Sequence, residues 1–322
     1  MNNQILITRK LKVGYDQLTL FQDLDLNLEK GKLVCFMGPN GVGKSSLIRT
    51  LAGLQKPLSG EIDTLSSDEI HKHLSVVLTD RVVGSNMTTG ELIATGRLPY
   101  LNWAAQVSNT DKAIIDDAVD KMRLAPLLDK DINELSDGQL QMAMIARALA
   151  QDTPVMLMDE PTAHLDLNNR LEIMNILLRL TRSMNKAVLV STHELDLALQ
   201  TADEIWLAGG NKSILTGIPE DLVLSGVFDE IFRFKGFDLR TGKVQHEIRH
   251  SIIIKVSGEG HEQLWTRNAL ERNGFAIGDE QATHTVHVRN LDGKTQWLVD
   301  DSQLFATIKE VLDHFLMSLR ST

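Results

Sequence analysis

One octapeptide constrains this chain more than any other feature. Residues 38–45 read Gly38-Pro39-Asn40-Gly41-Val42-Gly43-Lys44-Ser45, which satisfies G-x-x-x-x-G-K-[ST]. A continuous apolar run, Leu33-Val34-Cys35-Phe36-Met37, precedes it, and residues from about Lys44 to Leu54 read as a helix. A buried strand that delivers a glycine-rich turn into a helix is a phosphate cradle. The glycines let the backbone approach a polyphosphate and aim several N–H groups at it. The helix adds the positive end of its dipole. Lys44 supplies a point charge to the β- and γ-phosphates, and the Ser45 hydroxyl can ligate Mg2+. A plain glycine-rich turn is the competing reading, but average composition yields such a match by chance in roughly 1 of 100 chains this long.

Two more apolar runs end in polar residues: Val155–Met158 before Asp159, and Ala187–Val190 before His193. Three buried strands with polar groups at their C-terminal ends predict a mostly parallel α/β sheet, which binds ligands at those ends. Ahead of the cradle, residues 4–30 read as strands. Asp23–Leu28 alternates with period two, the mark of a half-buried antiparallel strand. The stretch from about Asp111 to Leu149 is largely helical, with a break around Asp129–Asp137. Asp166–Arg182 is a further helix, whose Leu171, Met174 and Leu178 read as a core stripe. Ile205–Leu207 and Ile214–Leu215 form a hairpin around Gly209-Gly210-Asn211.

The character changes after about residue 235. Ser251–Val256 reads as a strand, His261–Arg272 as a helix and Thr283–Arg289 as an alternating strand. A turn at Asn290–Gly293, a strand at Thr295–Val299 and a helix at Ser302–Leu319 follow. This βαββα pattern predicts a small α+β domain at 245–322 behind a larger domain at 1–240. The helical part of the larger domain is expected at about 85–150. A length of 322 residues fits two domains.

Val155-Met156-Leu157-Met158-Asp159-Glu160 is an apolar strand that ends in two acids. Adjacent strand residues point to opposite sides. One acid, Asp159, can therefore support Mg2+ while Glu160 orients or deprotonates an attacking water.

Leu135-Ser136-Asp137-Gly138-Gln139 precedes a helix containing Ile145-Ala146-Arg147-Ala148-Leu149. It closely resembles the LSGGQ signature of ATP-binding cassette (ABC) proteins, and it also reads as a capping box. The resemblance implies a P-loop NTPase cassette fold: a mostly parallel sheet, an antiparallel β subdomain and a helical subdomain. It also implies a homodimer that sandwiches two Mg-ATP. Each nucleotide would be held by Gly38 to Gly43, Lys44, Ser45 and Ser46 of one chain and by Ser136, Gly138 and Gln139 of the other. Tyr15, in Val13-Gly14-Tyr15, matches the aromatic residue that stacks on adenine. Pro161-Thr162-Ala163-His164-Leu165-Asp166 resembles the D-loop, which contacts the other subunit and places Asp166 among the nucleotide-binding residues. His193, in Ser191-Thr192-His193-Glu194, matches the switch histidine that touches the γ-phosphate. Two positions depart from the pattern. Asp137 stands where the signature has glycine, and a carboxylate there is expected to point away from phosphate. Asp80 stands where the family has glutamine; a carboxylate can still serve Mg2+ or its water.

Thr89-Gly90-Glu91-Leu92-Ile93 is followed by Gly96-Arg97-Leu98-Pro99-Tyr100. The segment is similar to ATPase subunits of ferric siderophore, haem and cobalamin importers, although Gly96 and Pro99 also read as a helix stop. The similarity implies an integral-membrane permease as partner, a periplasmic or lipoprotein substrate-binding protein beyond it, and a peripheral place on the cytoplasmic face of the inner membrane. No stretch approaches the ~18 apolar residues needed to cross a bilayer, and the N-terminus does not read as a signal peptide. The formal net charge of -10 argues against a nucleic-acid surface. The single cysteine, Cys35, is expected to be a buried structural thiol.

Two contrasting classes are disfavoured. A soluble regulatory cassette protein usually carries two cassettes, and one P-loop and one signature are visible here. A nucleotide sensor without turnover is expected to lack Glu160 and His193. The C-terminal histidines His246, His250, His284 and His287 match no metal-ligand spacing. That domain is expected to regulate the cassette dimer or to aid dimerisation.

Overall fold

A computed structural model describes the chain except residues 1–2, 64–69, 80–85, 103–105, 235–236, 240–241, 245, 292–293 and 321–322. The chain divides into two compact units, Met1–Arg233 and Phe234–Thr322.

In the first unit β1 (Gln4–Tyr15) pairs antiparallel with β2 (Leu18–Leu24) through its C-terminal half and with β3 (Asn27–Glu29) through its N-terminal half. β4 (Leu33–Met37) leads through the glycine-rich turn into α1 (Lys44–Leu51), and β5 (Ser59–Ile62) pairs with β1. Asp23–Leu28 is therefore not one strand. Leu24, Leu26 and Leu28 are all buried, so the alternation reports burial correctly. Thr8 breaks the pairing. Its hydroxyl donates to the Leu24 carbonyl at 2.9 Å and accepts from the Leu26 N–H at 2.8 Å, which interrupts the backbone ladder between β2 and β3.

The chain continues through α2 (Ile70–His73), β6 (Leu74–Val77), α3 (Thr89–Ala94), α4 (Asn109–Lys121), α5 (Asp137–Ala150), β7 (Val155–Asp159), α6 (Leu167–Met184), β8 (Ala187–Ser191), α7 (Leu195–Thr201), β9 (Glu204–Ala208), β10 (Ile214–Gly217), α8 (Pro219–Ser225) and α9 (Val227–Phe232). Among the described residues β10-β9-β4-β8-β7-β6 form one sheet, parallel throughout except for β10. Every residue of β4, β7 and β8 is buried. Continuous apolar runs are what strands covered on both faces require. α6 buries Ile173, Met174, Ile176, Leu177 and Leu180, whereas Leu171 is exposed and Leu178 half-buried. The expected stripe was rotated, because the helix carries two apolar rows and only the denser one faces the sheet.

Gly96 and Pro99 do not stop the helix. They lie in a 3-10 turn, Thr95–Tyr100, that continues α3. A Cβ on Gly96 would lie 2.2 Å from the Arg147 carbonyl oxygen and 3.1 Å from the Ala150 Cβ, so only glycine allows this approach to α5. Arg97 is thereby carried into the interior. Its Nε donates to Asp111 Oδ1 at 2.8 Å, its Nη1 to the Ala150 carbonyl at 3.1 Å, and its guanidinium lies 4.1 Å from the Tyr100 ring centroid. The Ser108 hydroxyl and N–H, together with Arg97, hold the Asp111 carboxyl below the usual carboxylate range.

The second unit holds the short pair β11 (Phe237–Asp238) and β12 (Lys243–Val244). β13 (Ile253–Ser257), α10 (His261–Arg272), β14 (Ala276–Ile277), β15 (His284–Leu291), β16 (Lys294–Val299), β17 (Gln303–Phe305) and α11 (Ile308–Arg320) follow. Its sheet runs β14-β13-β15-β16-β17 over a core that includes Ile254, Leu270, Phe275, Val286, Trp297 and Phe315. The expected single helix Ser302–Leu319 is wrong at its start. Asp300 and Asp301, at φ 47 and 53, turn the chain back, and Gln303–Phe305 pairs with β16. The helix begins only after Thr307, whose hydroxyl accepts from the Glu310 N–H at 3.2 Å. Asp292 and Gly293 of the expected turn lie outside the described residues.

Asp111→Ala leaves the Arg97 charge buried and unpaired. Removing one partner of a buried pair should cost about 3–5 kcal/mol, read by urea denaturation at neutral pH. The native carboxylate stabilises above the ordinary carboxylate pKa and loses that contribution as pH falls through its depressed folded value. The gap between variant and wild type should therefore close in acid, and a gap that persisted there would exclude the pair as its source.

Candidate nucleotide site

The cradle begins where β4 ends, in the middle of the parallel sheet. Gly41 and Gly43 stand at φ +77 and +110, a region that favours glycine. A Cβ on Gly43 would also meet Leu20 Cδ1 at 2.9 Å. Gly38 is buried, Pro39, Asn40 and Gly41 are exposed, and Val42 is half-buried. No side chain caps α1 and no acid lies in its first turn, so its positive end is left for an anion.

Lys44 is 6% exposed. Its Nζ donates to the Gly38 carbonyl at 3.1 Å and the Pro39 carbonyl at 3.4 Å, and Glu160 Oε1 lies 3.9 Å away. Burial pushes the Lys44 pKa down, while Glu160 and Asp159 act to raise it. Ser45 is exposed at the start of α1, and Ser46 is buried. The Ser46 hydroxyl shares a hydrogen bond of 2.9 Å with the hydroxyl of Tyr15, which sits at the end of β1 with its side chain half in solvent. An exposed aromatic ring tied to the cradle can stack on a base.

Asp159 is the last residue of β7 and is buried. Its Oδ1 accepts from the Ser191 hydroxyl at 2.6 Å, and its carbonyl accepts from Thr79 Oγ1 at 3.0 Å. Ser191 lies opposite it at the end of β8. The Glu160 N–H donates to both the hydroxyl and the carbonyl of Ser191, at 3.0 and 3.1 Å. The two acids part company for a reason other than strand alternation. β7 stops at Asp159, and Glu160 takes φ +48, a left-handed backbone. Such strain costs on the order of 1–3 kcal/mol and persists only where the surroundings enforce it. The Ser191 bonds supply that enforcement. Glu160 Oε2 then lies 3.7 Å from Nδ1 of His193, which sits two residues beyond β8 and is half exposed. A carboxylate set between an ammonium and an imidazole, and reachable by solvent, can take a proton from water.

The remaining predicted residues gather at two helix starts. Ser136 caps α5: its hydroxyl accepts from the Gln139 N–H at 3.3 Å, and Gln139 Oε1 accepts from the Ser136 N–H at 3.1 Å. Asp166 caps α6, accepting from the backbone and side-chain nitrogens of Asn169, both at 2.9 Å. A Cβ on Gly138 would lie 3.0 Å from Asn169 Nδ2, so the two starts touch. Asp137 and Glu160 both line a cleft of about 60 Å³. Asp80 lies outside the described residues.

The sequence reading missed the bonds of Ser191 and Thr79 to Asp159, which depend on neighbouring strands, and the 2.8 Å pair of Arg170 on α6 with Glu194 ahead of α7. Glu194 alone carried a signal, its place next to His193. In the second unit His284 Nδ1 pairs with Asp300 at 2.6 Å, and His287 Nδ1 with the Ser257 hydroxyl at 2.5 Å.

Residues 21–163 match the ABC transporter family, and residues 251–316 match the iron ABC transporter C-terminal domain. An uncharacterized ABC transporter ATP-binding protein of Methanocaldococcus jannaschii is 36% identical over 238 residues, 72% of this chain and 82% of that protein. A petrobactin import ATP-binding protein of Bacillus anthracis is 31% identical over 235 residues, 71% of this chain and 86% of that protein. Among solved structures, an inward-facing ABC transporter assigned to the metal-chelate type aligns with a TM-score of 0.65 at 28% identity, covering 72% of this chain and 90% of the other.

A lysine whose pKa is lowered on folding opposes stability while it stays charged. Lys44→Met should therefore melt no lower than wild type without nucleotide, yet lose the rise in Tm that ATP gives a chain that binds it. A retained ATP-induced rise, in a thermal-shift titration, would remove Lys44 from the site.

Proposed function

We propose that this chain, which belongs to the family of ABC transporter ATP-binding proteins, is the ATPase subunit of a membrane importer of iron chelates, ferric siderophores or haem. One observation carries the reading: a cassette match and an iron-transporter C-terminal match stand in the same chain. The petrobactin-importing relative agrees with it. No helix among the described residues is long and apolar enough to cross a membrane. The chain therefore acts through an integral-membrane permease, docked on the cytoplasmic face of the membrane, with a substrate-binding protein delivering the chelate on the far side.

Two copies close on two ATP molecules. The cradle, Lys44, Ser45 and Ser46 bind the phosphates, and Tyr15 stacks on the adenine. Ser136, Gly138 and Gln139 approach from the other copy, next to Asp166. Lys44 exchanges the Gly38 and Pro39 carbonyls for phosphate oxygens. Ser45 and Asp159 would hold Mg2+, which neutralises charge on the β- and γ-phosphates. Their donor set suits that ion: an exposed hydroxyl and a carboxylate whose other oxygen is already fixed by Ser191. Glu160 draws a proton from the attacking water, and His193 contacts the γ-phosphate.

Glu160→Gln keeps the shape and the Ser191 bonds but removes the base. ATP binding should survive, and turnover should fall at least about 100-fold, the scale of general-base catalysis. Near-normal turnover would refute the assignment.

The transport reading is tested on the complex isolated from its membranes through a tagged chain, with its binding protein added. ATP hydrolysis should rise with a ferric siderophore or with haem. Stimulation by cobalamin alone would move the substrate class. A preparation that brings down no membrane protein would point instead to a soluble regulatory ATPase.

A further inference from the structure

Glu194 follows the switch histidine and stands between two groups of the site. Its Oε2 accepts from Arg170 Nη1 at 2.8 Å, and its Oε1 lies 3.8 Å from His193 Nε2. The side chain is 12% exposed, and Oε1 is buried without a hydrogen-bond partner. Leaving a buried acceptor unpaired costs about 1–3 kcal/mol, more when it is charged. An ordinary surface ion pair, worth about 0–1 kcal/mol, has no reason to be placed this way.

Arg170 reaches further. Its Nε donates to the Leu165 carbonyl at 2.6 Å. Leu165 belongs to the six residues, Pro161–Asp166, that follow Glu160 and end at the cap of α6. The contacts therefore form a closed circuit. It runs along the backbone from Glu160 to Leu165, across Arg170 to Glu194, on to His193, and back to Glu160 Oε2 at 3.7 Å. At 3.7 and 3.8 Å neither contact of His193 is a hydrogen bond. The imidazole is poised between two carboxylates, one the proposed base and one anchored to the loop.

We propose that Arg170 and Glu194 are a positioning pair for ATP hydrolysis. Glu194 holds the His193 ring off Glu160, and Arg170 ties that hold to the Pro161–Asp166 loop. A shift of the loop on contact with the second cassette then moves His193 and frees Glu160 toward the water. The inference rests on the roles given above to Glu160 and His193.

The test uses the full chain carrying Glu194→Gln, Arg170→Ala, Arg170→Lys and the double variant Arg170→Ala/Glu194→Gln. Steady-state ATP hydrolysis, Tm and the ATP-induced rise in Tm are measured for each. Both non-conservative single variants should lose roughly tenfold or more in kcat with KM for ATP within about threefold, the pattern of an interaction needed in the transition state. The double variant should be no slower than the slower single one, because the two act as one unit. Arg170→Lys keeps the ion pair but not both hydrogen bonds, so it should recover only part of the rate. Single variants within about twofold of wild type would overturn the proposal. So would losses that multiply in the double variant, or that appear in KM and Tm instead of kcat. Glu160→Gln, run alongside, separates the two ideas: if it hydrolyses ATP normally, the base assignment fails whatever the pair does.

Discussion

A charged ammonium held away from water must be supported by its surroundings, and Lys44 sets that requirement for the whole first unit. Loop carbonyls alone do not meet it. The two acids that raise its pKa sit at the end of β7, and they reach Lys44 because β4, β8 and β7 are neighbours in that order. The strand between them contributes Ser191, whose hydroxyl fixes one acid while its oxygens accept the backbone N–H of the other. Sheet order is therefore a condition of the chemistry. Exchange of two strands would leave the cation without its counter-charges and Glu160 without the bonds that enforce its backbone.

That dependence explains what could be read from the sequence. The cradle, the acid pair, the signature and the switch histidine are each covalently contiguous, and contiguity is what a sequence displays. Ser191 closes an apolar run and looks like any strand end; its role exists only because Asp159 faces it in register. Arg97 was visible only as part of the Gly96–Tyr100 segment, which resembles importer ATPases. Its importance comes from Asp111 and Ala150, 14 and 53 residues away. The second unit shows the same limit. Gln303–Phe305 has no strand signal of its own. The turn at Asp300 and Asp301 and the free edge of β16 make it one. Asp23–Leu28 fails in the opposite sense: its alternation is true of burial but not of pairing, because Thr8 takes the bonds a strand would have made.

The backbone of Glu160 links these points to mechanism. Had β7 continued one residue, Glu160 would project to the side of the strand opposite Asp159. The left-handed turn lets both carboxylates serve one region while their backbone bonds diverge. Two acceptors on Ser191 hold the turn, so the strain at Glu160 is enforced through its backbone N–H and not through its carboxylate. In the proposed mechanism the base can then gain or lose a proton without relaxing its position, since its tether is a backbone N–H and not its carboxylate.

The start of α5 shows how one arrangement can serve both fold and assembly. Ser136 and Gln139 close a reciprocal cap within the chain, yet this leaves donors for a second nucleotide. The Ser136 oxygen accepts from Gln139, but its own O–H remains a donor. The first-turn N–H groups ahead of Gln139 have no intrahelical acceptor. Gly138 presents its N–H without a side chain, and the contact with Asn169 keeps that position small. The Asp137 carboxylate complements the helix dipole beside the cleft it shares with Glu160. The cap thus fixes the direction of the helix while the Ser136 hydroxyl, which accepts from Gln139, keeps its own O–H as a donor. A phosphate on a second copy could accept from it without breaking either bond of the cap, so closing the dimer need not unfold any part of the surface that receives it.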